Sequence, residues 1–182
     1  VMESSGEDPY LSSKMSEAAV KGYQGDDLSK EGTIAACVKH FAAYGGAEAG
    51  REYNAVDMSE MTLREYYLPA YKAAVDAGVK TLMTSFNSLN GVPSAGNKWL
   101  VDGILRKEWG FDGVVITDAI TMGGITSMCP YDEMLIRAIN AGNDIILGVN
   151  IHDFDTVYAA VERGDIPMKR IDESCERVLA LK

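Results

Sequence analysis

The stretch GFDGVVITDAI, residues 110–120, decides how the rest of the chain is read. After Gly113 a short apolar run, Val114 to Thr117, has the β-branched content of a strand, and it ends on a carboxylate, Asp118, where the run gives way to a loop. A charge there is costly unless it is paired or used. The run is nearly continuous rather than alternating in hydrophobicity, as expected of a parallel strand covered on both faces. Three more such runs occur, over 33–38 (TIAACV), 79–84 (VKTLMT) and 144–149 (DIILGV).

Between and around these runs the pattern predicts helices over 12–23, 59–76, 97–108, 131–140, 154–163 and 169–181. Ser59, Glu60 and Thr62 make a helix start, and Gly78, Gly110, Gly142 and Gly164 stand where helices should end. Strand and helix alternate, so the fold class is α/β, with about four parallel strands and crossover helices over one domain, 1–182. That order fits either an open doubly wound sheet or part of a (β/α) barrel, and both gather chemistry at the carboxyl ends of the strands. A GxGxxG turn and a Walker loop are absent from the sequence, which favours the barrel. A complete TIM barrel needs about 250 residues, so 182 predict a partial one.

Composition excludes several classes. A formal net charge of -10 argues against nucleic acid and anionic membranes as partners. Cys37, Cys129 and Cys175 have neither CxxC spacing nor a ligand-spaced His, so reduced thiols are expected and neither a disulfide framework nor a metal site. The first fourteen residues carry no signal-peptide pattern, and no apolar stretch approaches membrane-spanning length. No cofactor is implied.

The expected strand ends carry Lys39 and His40, then Ser85, Phe86 and Asn87, then Asp118, then residues 148–150. Position alone leaves other readings open. Lys39 and His40 could simply leave the core, and adjacent strand residues point to opposite faces unless the strand bends. Asp118 could cap a helix. Arg51 could pair with Glu48 or Glu52 at the surface, Met83 could be core, and His152 reads as a helix-entry residue.

Several longer stretches resemble one family. SGEDPYL, VKHFAAY, TLREYYLPAYKAAV, LMTSFNSLNGVPSAGNKWLVDGILRKEWGFDGVVITD and AINAGNDI are similar to the catalytic barrel of glycoside hydrolase family 3, the β-glucosidase family. The resemblance implies a retaining, exo-acting β-glycosidase for terminal non-reducing β-linked sugars. It makes Asp118 the nucleophile, assigns Lys39, His40 and Arg51 to sugar hydroxyls in the cleavage subsite, and lines that subsite with Met83 and Phe86. The implied partner is a carbohydrate.

Departures from the family pattern set further expectations. Phe86 stands where many members have Tyr, and Ala119 follows the nucleophile where many have an aromatic residue, so a sugar-stacking wall must come from elsewhere. Retention needs a second carboxyl about 5 Å from the first. Typical family members take it from a following domain, and the related β-N-acetylglucosaminidases from an Asp and His on the loop after the Lys-His strand, but 41–57 contains no His. The expectation is a fragment without its acid–base group, from a soluble, periplasmic or secreted parent. Open barrel edges would invite pairing with another copy. Two alternatives remain: an incompetent sugar-binding or interaction domain derived from the family, and an aldolase-type barrel with Lys39 as Schiff-base nucleophile.

Overall fold

The computed structural model describes residues 4–122 and 129–182. Its strands are β1 Cys37–Phe41, β2 Thr81–Thr84, β3 Ser88–Leu89, β4 Val92–Pro93 and β5 Val114–Thr117. Three of them, β1, β2 and β5, form one parallel sheet in that order. The register aligns Val38, Leu82 and Val115 across the sheet, and Thr84 with Thr117; Leu82 and Val115 are fully buried against the helices. Cys37, Thr81 and Val114 share the opposite face with Met83 and Ile116. Of these only Val114 is buried; Thr81, Met83 and Ile116 are half-buried and Cys37 is exposed. One face is therefore core, and the other is the partly open inner layer of a (β/α) barrel segment.

The first strand begins later than its apolar pattern predicts, at Cys37 rather than 33. Thr33 closes a turn through its hydroxyl to Lys30 O, and Ile34, 61% exposed, spends its N–H on Tyr23 O, so neither joins the ladder. The fourth run, 144–149, lies parallel beside β5 but makes only an isolated bridge, Ile116 to Ile145. Ile145 N donates to Val115 O and Thr117 N to Ile145 O, but Asp144 N shares Val115 O and Leu147 N turns to the Thr117 hydroxyl, so the ladder stops after one bridge.

The helices are α1 Pro9–Gln24, α2 in three consecutive pieces (Glu60–Thr62, Leu63–Tyr67 and Pro69–Asp76), α3 Trp99–Glu108, α4 Tyr131–Ala141, α5 His152–Arg163 and α6 Met168–Leu181. Asp8 caps α1 by accepting from Tyr10 N and Leu11 N, and Ser59 caps α2 by accepting from Thr62 N. Residues 63–67 and α3 have wider, five-residue bonding, as in Leu68 N to Leu63 O and Trp109 N to Ile104 O. Buried Gln24 ties α1 to the sheet: its amide donates to Gly78 O and accepts from Ala36 N and Lys80 N at the start of two strands.

Gly113 in the opening stretch has a packing role. A Cβ there would collide with Lys80 O, which bonds Val114 N, and would lie 2.6 Å from the Phe111 ring. Gly113→Ala is expected to cost about 1–3 kcal/mol, read as a lowered urea midpoint with an unchanged slope.

At the amino end of the fourth run, the side chain of Asp144 is completely buried. Its Oδ2 accepts from Arg106 at 2.6 Å and from Val115 N at 2.9 Å; its Oδ1 accepts from Arg170 and Ser174, both at 2.8 Å, and from Arg177 at 3.0 Å. Arg106 also donates to Phe111 O and Gly113 O. One carboxylate thus fastens α3, β5 and α6 together at the end of the sheet remote from Asp118.

Candidate active site

Asp118 directly follows β5, and its N–H continues the ladder to Thr84 O at 3.2 Å. The carboxylate is split between two neighbours. Oδ1 accepts from Ala119 N at 2.8 Å, and Oδ2 lies 3.8 Å from His40 Nε2, with both side chains largely buried. Asp118 caps no helix among the described residues.

His40 reaches Asp118 because β1 is irregular. Between the pairs Val38–Leu82 and Phe41–Thr84, three steps of β1 oppose two of β2, and this bulge breaks the simple alternation of faces. The Lys39–His40 and Phe41–Ala42 peptide bonds are cis. Tyr71 donates its hydroxyl to His40 O, and Ser85 N donates to Phe41 O, fixing the strand end from both sides. The Tyr71 hydroxyl is pushed above its ordinary pKa by burial, so it stays a donor. Lys39, the residue before His40 in β1, is exposed.

Phe86 is buried just past β2, with its ring 6.4 Å from that of His40. Its backbone is steadied by a bond from the Ser85 hydroxyl to Asn87, whose amide donates in turn to Ser88 O. Met83 lies half-buried on the inner face, in register with Ile116 and two residues before Ser85. The structure therefore brings His40 to both Asp118 and Phe86, with Lys39 next to His40 in β1 and Met83 one position before the end of β2.

Arg51 lies on the loop after β1 and is exposed; it forms no ion pair with Glu48 or Glu52. Glu52 instead accepts from the Tyr44 hydroxyl at 2.7 Å. Glu48 N donates to Ala55 O and the Asn54 amide to Glu48 O, cross-bracing the loop. A hairpin of β3 and β4, turned at Asn90 and Gly91 with positive φ, holds the loop from below. Val56 N donates to Ser88 O, and the Asn90 side chain bonds both Met58 N and Met58 O.

Two aromatic residues join the site that sequence reasoning missed. Tyr44 packs edge-on to His40 and Phe86 at 5.5 and 5.0 Å, and Tyr53 lies 5.0 Å from Phe86. The available signal was a glycine-rich loop carrying two tyrosines directly after the Lys-His pair. The group offers a fixed carboxylate, cationic and imidazole donors, and aromatic faces, which suits polyhydroxylated ligands. Among the described residues no group of three metal-ligating side chains could hold an ion, and no helix is long and apolar enough to cross a membrane.

The sequence profile described as Glycosyl hydrolase family 3 N terminal domain matches residues 1–181. The chain is 38% identical to the periplasmic beta-glucosidase of Salmonella typhimurium over 99% of its length and 24% of that protein's. It is 36% identical to a beta-xylosidase of Formosa agariphila, over 100% of this chain and 27% of the other. The crystal structure of beta-glucosidase from Listeria innocua in complex with isofagomine superposes with a TM-score of 0.93 at 43% identity, over 100% of this chain and 26% of that one. The chain thus spans about a quarter of the length of the relatives it matches, and it belongs to glycosyl hydrolase family 3, as part of that family's TIM-barrel-like N-terminal domain.

Proposed function

We propose that the protein is a retaining, exo-acting β-glycosidase that cleaves terminal non-reducing β-linked sugars, with β-glucosides as the first substrate class. The observation that carries this reading is Asp118 held at the carboxyl end of β5 with His40 Nε2 at 3.8 Å. An ionised carboxylate under the anomeric carbon forms the glycosyl-enzyme, and water later breaks it. Its backbone bonds hold Asp118 in place before substrate arrives, so little reorganisation is needed during attack.

In this reading His40, Lys39 and Arg51 bind sugar hydroxyls, and charged donors strengthen such bonds as the ring distorts. Met83 and Phe86 line the same subsite. The acid–base carboxyl comes from outside these 182 residues, a reading supported by the quarter-length match to the relatives.

The test is hydrolysis of aryl β-glucosides and β-xylosides, with the anomeric configuration of the first-formed sugar followed by NMR. Retention is expected. The 182-residue chain alone should favour an activated aryl glycoside over cellobiose, because general acid catalysis contributes roughly 10²–10⁴-fold and matters least for a good leaving group. Inversion, or cellobiose cleaved by the chain alone as fast as the aryl glycoside, would contradict the mechanism. Sugar binding without any turnover would support the incompetent-domain alternative instead.

A further inference from the structure

We infer that Tyr53, backed by Phe86, is the platform on which the leaving-group sugar stacks, so that selectivity for the unit beyond the cleaved bond is set by the loop after β1. This rests on the β-glycosidase reading above and extends it to a residue that reading does not use.

Of the nucleophile, the histidine and the two rings beyond them, Tyr53 alone is widely exposed. Asp118 and His40 are largely enclosed, Phe86 is 5% exposed, and Tyr53 is 49% exposed with its ring 5.0 Å from Phe86 and tilted by 48°. In an exo-acting enzyme the terminal sugar occupies the enclosed end, so the unit that departs lies outward, on the side of Tyr53. The sequence has Ala119 after the nucleophile, so no aromatic wall stands at that neighbouring position.

An exposed aromatic ring alone would mean little. Tyr53, however, is held with φ +67, a left-handed backbone that a bulky side chain rarely adopts. Ala43 and Ala49 of the same loop are also left-handed, at φ 66 and 56. Residues kept in such conformations cluster at ligand clamps, where the surroundings over-determine them. Here the surroundings are the Tyr44–Glu52 bond next to Tyr53, the Asn54 amide to Glu48 O, and the hairpin bonds at Val56. Tyr44 and Tyr53 both pack on Phe86, which fixes the plane of the platform. Tyr offers a broad apolar face at low entropic cost, the property wanted for a sugar's C–H face.

Binding separates this inference from the reading it rests on. Glucose is titrated into the unmodified protein, and cellobiose and laminaribiose into an Asp118→Asn background that prevents turnover, each with and without Tyr53→Ala. Tyr53→Ala should weaken the disaccharides by about tenfold and leave glucose within about twofold. Tyr53→Phe should keep disaccharide affinity, because the ring rather than the hydroxyl does the work. Equal weakening of glucose and disaccharides, or weakening of neither, would overturn the platform while leaving the glycosidase reading intact. No sugar binding to any variant would overturn the reading and the platform with it.

Discussion

Asp118→Asn is expected to lower turnover of an aryl β-glucoside by at least about 10⁴-fold, a loss of the size seen when a covalent nucleophile is removed. The amide is nearly the same shape, so it keeps the space beside His40 and the bond from Ala119 N. What it loses is the negative charge that meets the oxocarbenium-like centre and the oxygen that forms the glycosyl ester. Because the carboxylate sits at a strand end and not in the helix-packed core, the urea midpoint should move little. Glucose binding, which leans on the hydroxyl donors, should survive better than kcat. A variant retaining a tenth of its activity would remove Asp118 from the chemistry.

The second large effect is on stability. Asp144→Ala is expected to destabilise the fold by about 3–5 kcal/mol, the range for removing one partner from a buried ion pair. Here three guanidiniums lose their common carboxylate, and the Arg106 and Arg170 side chains are about nine-tenths buried. Burial pulls the Arg106 pKa down to about 10, and the charge of Asp144 opposes that pull. For Asp144 itself, burial works against ionisation but is outweighed by Arg106, the Val115 N–H, Ser174 and Arg170, and its pKa lies below the usual 3.8. A depressed carboxylate pKa gives stability that is present above the unfolded value and lost as pH falls through the folded one. Wild-type stability should therefore drop below about pH 4, and part of that drop should vanish in Asp144→Asn. Denaturant unfolding at pH 7 and pH 3 reads both.

The sequence and the structure agree best where physics is local. Helices follow from the 3.6-residue pattern and from end signals at Ser59, Gly142 and Gly164, and each lies within about three residues of its expected span. Asp118 was legible because a charge closing the run VVIT is conspicuous in isolation. Asp144 opens the run DIILGV in the same conspicuous way, yet its partners sit at 106, 170 and 177, and nothing local announces them. The first strand was displaced because Thr33 and Ile34 have strand-like side chains, while a turn and Tyr23 O claim their polar groups. The hairpin at Asn90–Gly91 carried a readable turn signal that longer apolar runs overshadowed. Phe86 and the two tyrosines of the glycine-rich loop stand in plain view in the sequence, but their packing on one another does not, since it depends on a bulge in β1 and on left-handed residues in a loop.

The attack of Asp118 on the sugar can be caught by incubating the protein with a 2-fluoro-β-glucoside bearing a good leaving group, then mapping the labelled peptide by mass spectrometry. The fluorine slows both steps and the leaving group restores the first, so the glycosyl-enzyme accumulates. One 2-fluoroglucosyl ester is expected, on Asp118, absent from Asp118→Asn and released when a sugar acceptor is added. A label on any other carboxylate would contradict that expectation.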